Sequence, residues 1–222
     1  MGRISVIGGT GDLGFWLALR LAKAGLDIVI GSRSREKAME AVNRGLKLVG
    51  EGASLEGAVN REAVIDSEVV FFSIPYQAIG EIASDVSPSM NTRSIAVSCI
   101  VPFDKNNGEL SAAEMLSSHL DGVPVVSTLH TVGAERLARL NEPLNSDTLV
   151  FGDIMDAKKK IAAILYLIDG LRPVDGGPLK NSRIGEHIVR ILLSVNRRYG
   201  VKDAGIQISG LTDRMVREKW GL

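Results

Sequence analysis

The sequence predicts an α/β fold, a doubly wound and mainly parallel sheet with a small, mostly helical C-terminal part. Three observations predict it. A glycine-rich run, Gly8-Gly9-Thr10-Gly11-Asp12-Leu13-Gly14, follows the apolar stretch Ile4-Ser5-Val6-Ile7. A second strand-like run, Asp27-Ile28-Val29-Ile30-Gly31, returns at the spacing of a β-α-β unit. Beyond it, strand-like and helix-like runs alternate, which favours parallel strands joined by crossover helices. Together these are the marks of a Rossmann-type nucleotide-binding fold.

In order along the chain, Arg3–Gly8 reads as the first strand and Asp12–Ala24 as a helix, with Gly25 suited to its end. Asp27–Gly31 is the second strand and Arg35–Val49 a helix. Ala53–Glu56 reads as a short third strand, and Asn60–Asp66 as a short helix with Asn60 as its N-cap. The apolar runs Glu68–Ile74 and Ser94–Ile100 are strands buried on both faces. A helix follows Pro75-Tyr76 to about Asp85, and another covers Ala112–Leu120. Pro124–Thr128 and Thr148–Phe151 are strands, Ala157–Ile168 a helix, and Arg172–Val174 a last short strand. A helical pattern from Leu179 to Tyr199 repeats Ile184, Ile188, Ile191, Leu192 and Val195, a stripe suited to the sheet or to a dimer interface. The tail Leu211–Leu222 reads as a short amphipathic helix or a partner contact. Residues 1–175 are assigned to a nucleotide-binding domain and residues 176–222 to a helical segment completing a second site.

Composition bounds the function. The chain has 222 residues, 45% hydrophobic and 23% charged, with a formal net charge of zero. Such a balance argues against a nucleic-acid or membrane-surface binder. Cys99 is the single cysteine, so no intrachain disulfide forms and a reducing, cytoplasmic setting fits. The chain enters a strand at once, without a signal-peptide pattern, and no apolar run approaches the ~18–20 residues of a membrane span. His119 and His187 have no partners at ligand spacing, so no metal site is expected.

In a sheet of this kind ligands bind beyond the carboxyl ends of the strands. The glycine run brings a pyrophosphate against a helix N-terminus, where free N–H groups favour negative charge. The second strand ends in Gly31-Ser32-Arg33-Ser34-Arg35, with Lys37 a turn further on. An NAD site places a carboxylate there for the ribose 2′-hydroxyl. Here Arg33, Ser32 and Lys37 are equipped to take a 2′-phosphate instead, which favours NADP over NAD. The remaining strand ends supply Ser73-Ile74-Pro75-Tyr76, Ile100-Val101-Pro102 and His130-Thr131-Val132-Gly133. That rim is mostly apolar or small and suits flat rings better than a hydrolytic centre. The Gly- and Pro-rich segment from Asp169 to Leu179 is a turn-rich element that could wall a second ligand site.

The glycine run, Gly31-Ser32-Arg33, Ser73-Ile74-Pro75-Tyr76, Leu129-His130-Thr131, Asp169-Gly170-Leu171-Arg172-Pro173, Gly177-Pro178-Leu179 and Asn181-Ser182-Arg183 together closely resemble the NADPH-dependent reductases of coenzyme F420. The resemblance reaches to about Ile208. It implies reversible hydride transfer between nicotinamide C4 of NADP(H) and C5 of the deazaflavin F420. It further implies that Gly9, Thr10, Gly11, Asp12 and Leu13 hold the pyrophosphate, and that Ser32, Arg33 and Lys37 hold the 2′-phosphate. Ile74, Pro75, Val101 and Ala134 would border the nicotinamide and the ring stacked on it. His130, with Thr131, is the candidate for orienting the deazaflavin, with no certain catalytic residue. A homodimer is expected on the general frequency of cyclic dimers. Two other readings stand beside this one: an NADP-dependent reductase of an imine, carbonyl or ferric chelate, and a non-catalytic NADP-binding redox sensor.

Overall fold

Six of eight strands run in one direction, and the last two in the other, in a single sheet of order β3-β2-β1-β4-β5-β6-β7-β8, in a computed structural model that describes residues 2–103 and 110–222. The strands are β1 (Arg3–Ile7), β2 (Ile28–Ser32), β3 (Leu55–Val59), β4 (Ser67–Phe72), β5 (Ile95–Ser98), β6 (Val125–Ser127), β7 (Ser146–Gly152) and β8 (Leu171–Gly177). β1 pairs with both β2 and β4, so the strand order reverses beside β1. Only the β6–β7 pairing is antiparallel.

The crossovers are α1 (Asp12–Lys23), α2 (Arg35–Val49), α3 (Asn60–Ala63), α4 (Ile79–Val86), α5 (Ala112–Ser117), α6 (Ala134–Ala138) and α7 (Met155–Leu165), followed by α8 (Ser182–Tyr199) and α9 (Asp213–Trp220). Alternate side chains of the central strands feed two separate cores, as period-2 geometry requires. Ile4, Val6 and Phe71 join Leu17 and Leu21 of α1 with α2, α7 and α9 on one face. Ile7, Val70 and Phe72 join α3, α4 and α5 on the other. Helices on both faces make the sheet doubly wound, as the alternating pattern predicted.

Local chemistry sets most boundaries. Ser34 caps α2 by accepting from the Lys37 N–H, and Gly50 ends it at φ 97°. Several expectations shift. The third strand begins at Leu55, because the Ala53 N–H closes a turn onto Gly50 O. Asn60 is the first helical residue of α3, not its cap: Val59 holds the cap position and no side chain caps the helix. That helix stops at Ala63, and Asp66 turns the chain left-handed at φ 58°. The helix after Pro75 opens as a 3₁₀ turn over Tyr76–Ala78 before α4. Helix α6 was not anticipated.

The tail is a helix docked on the protein itself. Val216 and Trp220 of α9 are buried, and the Trp220 indole donates to Pro173 O on β8 at 2.7 Å. The apolar side of the amphipathic pattern is therefore spent within the chain. No helix among the described residues is long and apolar enough to cross a membrane.

Candidate active site

The turn after β1 is where backbone geometry is most demanding. Gly8 sits at φ 79°, and a Cβ there would lie 2.2 Å from Ser73 O. A Cβ on Gly9 would lie 2.8 Å from Val6 O, and one on Gly14 2.5 Å from Gly8 O. These three positions close the turn and let α1 pack against it. Gly11 differs: its Cβ position meets only Gly8 O, at 3.4 Å. Gly11 is also the N-cap of α1 and provides no side-chain cap, so the first N–H groups of α1 stay open to an anion. The sequence pattern assigned the tight turn to the run as a whole; the left-handed residue is Gly8, one before its first motif glycine.

Two clefts open over the carboxyl ends of the strands. The first, of about 420 Å³, has Thr10, Gly11, Ser32, Arg33 and Lys37 on its polar side. Ile74, Pro75, Ala78 and Ile82 form an apolar slot opposite. Ser32 Oγ accepts from the Ser34 N–H, which leaves its hydroxyl proton for a ligand. Arg35 is tied to Glu62, whereas Arg33 and Lys37 are held by no carboxylate among the described residues. The cationic lip therefore consists of Arg33 and Lys37.

The second cleft, of about 720 Å³, shares Gly11, Ser73, Ile74 and Pro75 with the first. Asp12, Leu13, Val101, His130 and Ala134 line it from the strand ends. Every sequence-predicted site residue except Gly9, which lies beneath the turn, thus borders one continuous space. The far wall comes from Val189, Leu192, Leu193 and Asn196 of α8 and from Ala204. Phe103 and Cys99 complete it. Cys99 is buried, and burial pushes its thiol pKa far up, so it is an apolar wall and no nucleophile.

His130 has a different posture from the one its position in sequence suggests. It is 6% exposed, and burial pushes its pKa down to about 4, so the imidazole is neutral near pH 7. Its Nε2 lies 3.4 Å from Ser127 Oγ. Its Nδ1 has no partner and lies where a Cβ on Gly185 of α8 would be 3.1 Å away. Thr131, its neighbour, turns inward: its hydroxyl donates to Asp147 O at 2.6 Å. Thr131 is therefore unavailable to a ring in the cleft.

Sequence reasoning assigned residues 176–222 to completing a second site and named Ser73 among the strand ends, but it did not single out Val189, Leu192, Leu193, Asn196 or Ala204, nor Asn60, as cleft walls. The Asp169–Leu179 segment, expected to wall a site, becomes mostly β8, and none of its residues lines either cleft. Its Arg172 instead grips Asp147 in a bidentate pair, at 2.6 and 2.8 Å. The same carboxylate accepts the Ile208 N–H at 2.6 Å, and the Asp147 N–H donates to Ile206 O. The strap that carries Ala204 is stapled to the sheet through Asp147, with Ser146 Oγ donating to Ile206 O beside it at 3.3 Å.

Comparison with known proteins extends this geometry to a family. Residues 3–102 match the family model described as NADP oxidoreductase, coenzyme F420-dependent. An F420-dependent NADP reductase of Methanothermobacter thermautotrophicus is 36% identical over 96% of this chain and 97% of its own. Its namesake in Methanocaldococcus jannaschii is 37% identical over 94% of this chain and 99% of its own. The chain belongs to the F420-dependent NADP reductase family. A crystal structure from an Arthrobacter species, described as a candidate F420-dependent NADP-reductase, superposes with a TM-score of 0.79 over 94% of this chain and all of its own. At 18% identity that likeness concerns the fold, and it shows the mainly parallel, Rossmann-like sheet of this reductase family.

Proposed function

We propose that the chain transfers a hydride reversibly between NADP(H) and the deazaflavin coenzyme F420. The observation that carries this reading is the pair of clefts meeting at Gly11, Ser73, Ile74 and Pro75, one with a cationic lip and the other with apolar walls. Membership of the reductase family supports it.

The residues fit both groups. Gly11 and the uncapped start of α1 leave room and open donors for a pyrophosphate, with Gly9, Thr10, Asp12 and Leu13 around it. Ser32, Arg33 and Lys37 hold the 2′-phosphate, and the slot of Ile74, Pro75, Ala78 and Ile82 takes the adenine. Val101, Ala134 and His130 border the nicotinamide and the second ring, which α8 covers from above. The two bound cofactors supply the redox chemistry, a hydride passing between two carbon atoms. The protein contributes position, stacking and exclusion of water, and that chemistry calls for no protein nucleophile. His130 keeps a neutral edge against the second ring and orients it without exchanging a proton near pH 7.

In this reading residues 1–175 bind the dinucleotide, and residues 176–222 complete the second-cofactor site through α8 and the strap. The enzyme works as a homodimer in the cytoplasm. The apolar residues Ile184 and Ile191, exposed along α8, supply a face for a second copy.

The test is spectroscopic. Purified protein mixed with NADPH and oxidised F420 bleaches the deazaflavin's visible absorption. NADPH oxidation that proceeds only with an imine, carbonyl or ferric chelate overturns the assignment, and so does NADPH binding without turnover.

A further inference from the structure

Asn60 is an unexplained buried polar group on the first cleft. It follows Val59, the residue of β3 that pairs with Ser32 of β2, so it stands beside Ser32 and Arg33, one strand further out. It lines the first cleft with them. Its side chain is 94% removed from solvent by its 6% exposure, yet Oδ1 has no hydrogen-bond partner and no bond from Nδ2 is formed among the described residues. It caps no helix. An unpaired buried amide is unfavourable, and an apolar residue would fill the same space beside Ala63 and Ile7 without that cost.

The direction of the amide narrows its ligand. Oδ1 rests over Gly31, where an added Cβ would be 3.1 Å away. Nδ2 is therefore the arm left for the cleft, and Nδ2 is a donor only. Its neighbours on that rim, the Ser32 hydroxyl, Arg33 and Lys37, are donors as well. Four convergent donors without a carboxylate describe a site for a multiply charged oxyanion. Glu62, the nearest acid along the chain, is occupied by Arg35.

We propose that Asn60 is a specificity-determining residue for NADP, with Nδ2 donating to the adenosine 2′-phosphate beside Ser32, Arg33 and Lys37. This rests on the dinucleotide reading of the first cleft. It implies that the choice between NADP and NAD is made by two strand ends, β2 and β3, and not by the β2 turn alone.

The test is binding, not turnover. Titration calorimetry with NADP⁺ and with NAD⁺ is run on wild type, Asn60→Ala and Asn60→Asp, each checked by its melting curve. Asn60→Ala weakens NADP⁺ by about tenfold, the loss expected for one hydrogen bond to a charged group. It leaves NAD⁺ within about twofold, since NAD⁺ lacks the phosphate. Asn60→Asp has nearly the same shape and sets a carboxylate against the phosphate, so NADP⁺ weakens by about a hundredfold while NAD⁺ binds as well or better. Equal losses on both nucleotides, or no loss of NADP⁺ in either variant, overturn the proposal. A wild type that binds neither nucleotide overturns the dinucleotide reading and this proposal with it.

Discussion

Replacing Arg20 with Met tests whether the two halves of the site are held at a fixed spacing. Arg20 lies in the last turn of α1, 5% exposed. Its guanidinium donates to Leu137 O and Glu142 O at 2.9 Å, to Arg139 O at 2.5 Å and to Arg136 O at 3.3 Å. It thereby ties α1 to the carboxyl end of α6. The opposite ends of these helices, at Gly11–Leu13 and Gly133–Ala134, face each other across the second cleft. Three short bonds from a cation are worth about 1.5–3 kcal/mol each, or roughly 5–9 kcal/mol gross. Burial lowers the Arg20 pKa against the opposing pull of Asp169 and Glu142, so part of that gain offsets desolvation. The net loss in Arg20→Met is then about 3–5 kcal/mol, the range for a broken buried charged contact. In a chain of this size that lowers the melting temperature by on the order of 10 °C. Arg20→Lys keeps the charge but has no fork, and falls between the two. Calorimetry reads the stability. Steady-state kinetics below the melting range reads a fall in kcat with little change in the KM for NADPH. A melting temperature within about 2 °C of wild type would show that α1 and α6 need no clamp, and would refute the reasoning.

Three further outcomes are expected. Gly8→Ala puts a Cβ 2.2 Å from Ser73 O at φ 79°; it costs about 3–5 kcal/mol, and soluble protein with unchanged melting would contradict that turn. Trp220→Ala removes a side chain 2% exposed and its bond to Pro173 O; it costs about 3–5 kcal/mol and opens the tail to limited proteolysis, whereas a tail meant for an outside partner would leave stability unchanged. His130 titrates at about 4 when folded and near 6.5 when unfolded, so the unfolded chain binds the proton first as pH falls. Its contribution is whole above about pH 6.5 and lost progressively down to about pH 4, some 3 kcal/mol in all, so urea unfolding of His130→Gln shows a correspondingly shallower decline over that window.

What was legible in the sequence is what local chemistry decides. Helix α2 is found where the sequence puts it, because Ser34 caps it and Gly50 stops it. The cationic turn at Ser32–Lys37 is read directly, since it lies within six residues of chain. The sheet order near β1 follows from β-α-β spacing. The far half was less legible. The antiparallel entry of β7 depends on the path of the whole chain between His130 and Ser146, whose turn residues, Asn141, Pro143 and Asn145, mark a loop but not the direction of the strand that follows. In α8 the 3.6-residue period announces an apolar stripe, but periodicity does not say whether a sheet, a ligand or another copy meets it. Val189, Leu192 and Leu193 face the cleft while Ile184 and Ile191 stay exposed. Neighbours in sequence also part ways in space: His130 borders the cleft and Thr131 bonds to Asp147 beneath it. The sequence reads Asn60 only as a helix cap, which it is not, and its lack of a partner in the folded chain is what marks it for the cleft.

The outer strands explain why so much chain is devoted to a site whose chemistry asks for no acid or base. Hydride transfer depends on the separation of two rings, so the rigidity of the walls matters more than any reactive side chain. One wall, the β1 turn and Ile74-Pro75, is fixed by the central sheet. The opposite wall consists of the loop with His130, the strap with Ala204, and α8, none of which is a strand. Each is fastened from behind. Thr131 binds Asp147 O; the Asp147 carboxylate holds Ile208 and is itself held by Arg172; Arg172 reaches on to Leu211 O. Helix α8 is anchored by Glu186, buried in the fold, which accepts the N–H groups of Ala112 and Ala113 at the start of α5. The polar groups that a nucleophilic enzyme aims at its substrate are here turned away from the cleft and spent on holding its walls apart.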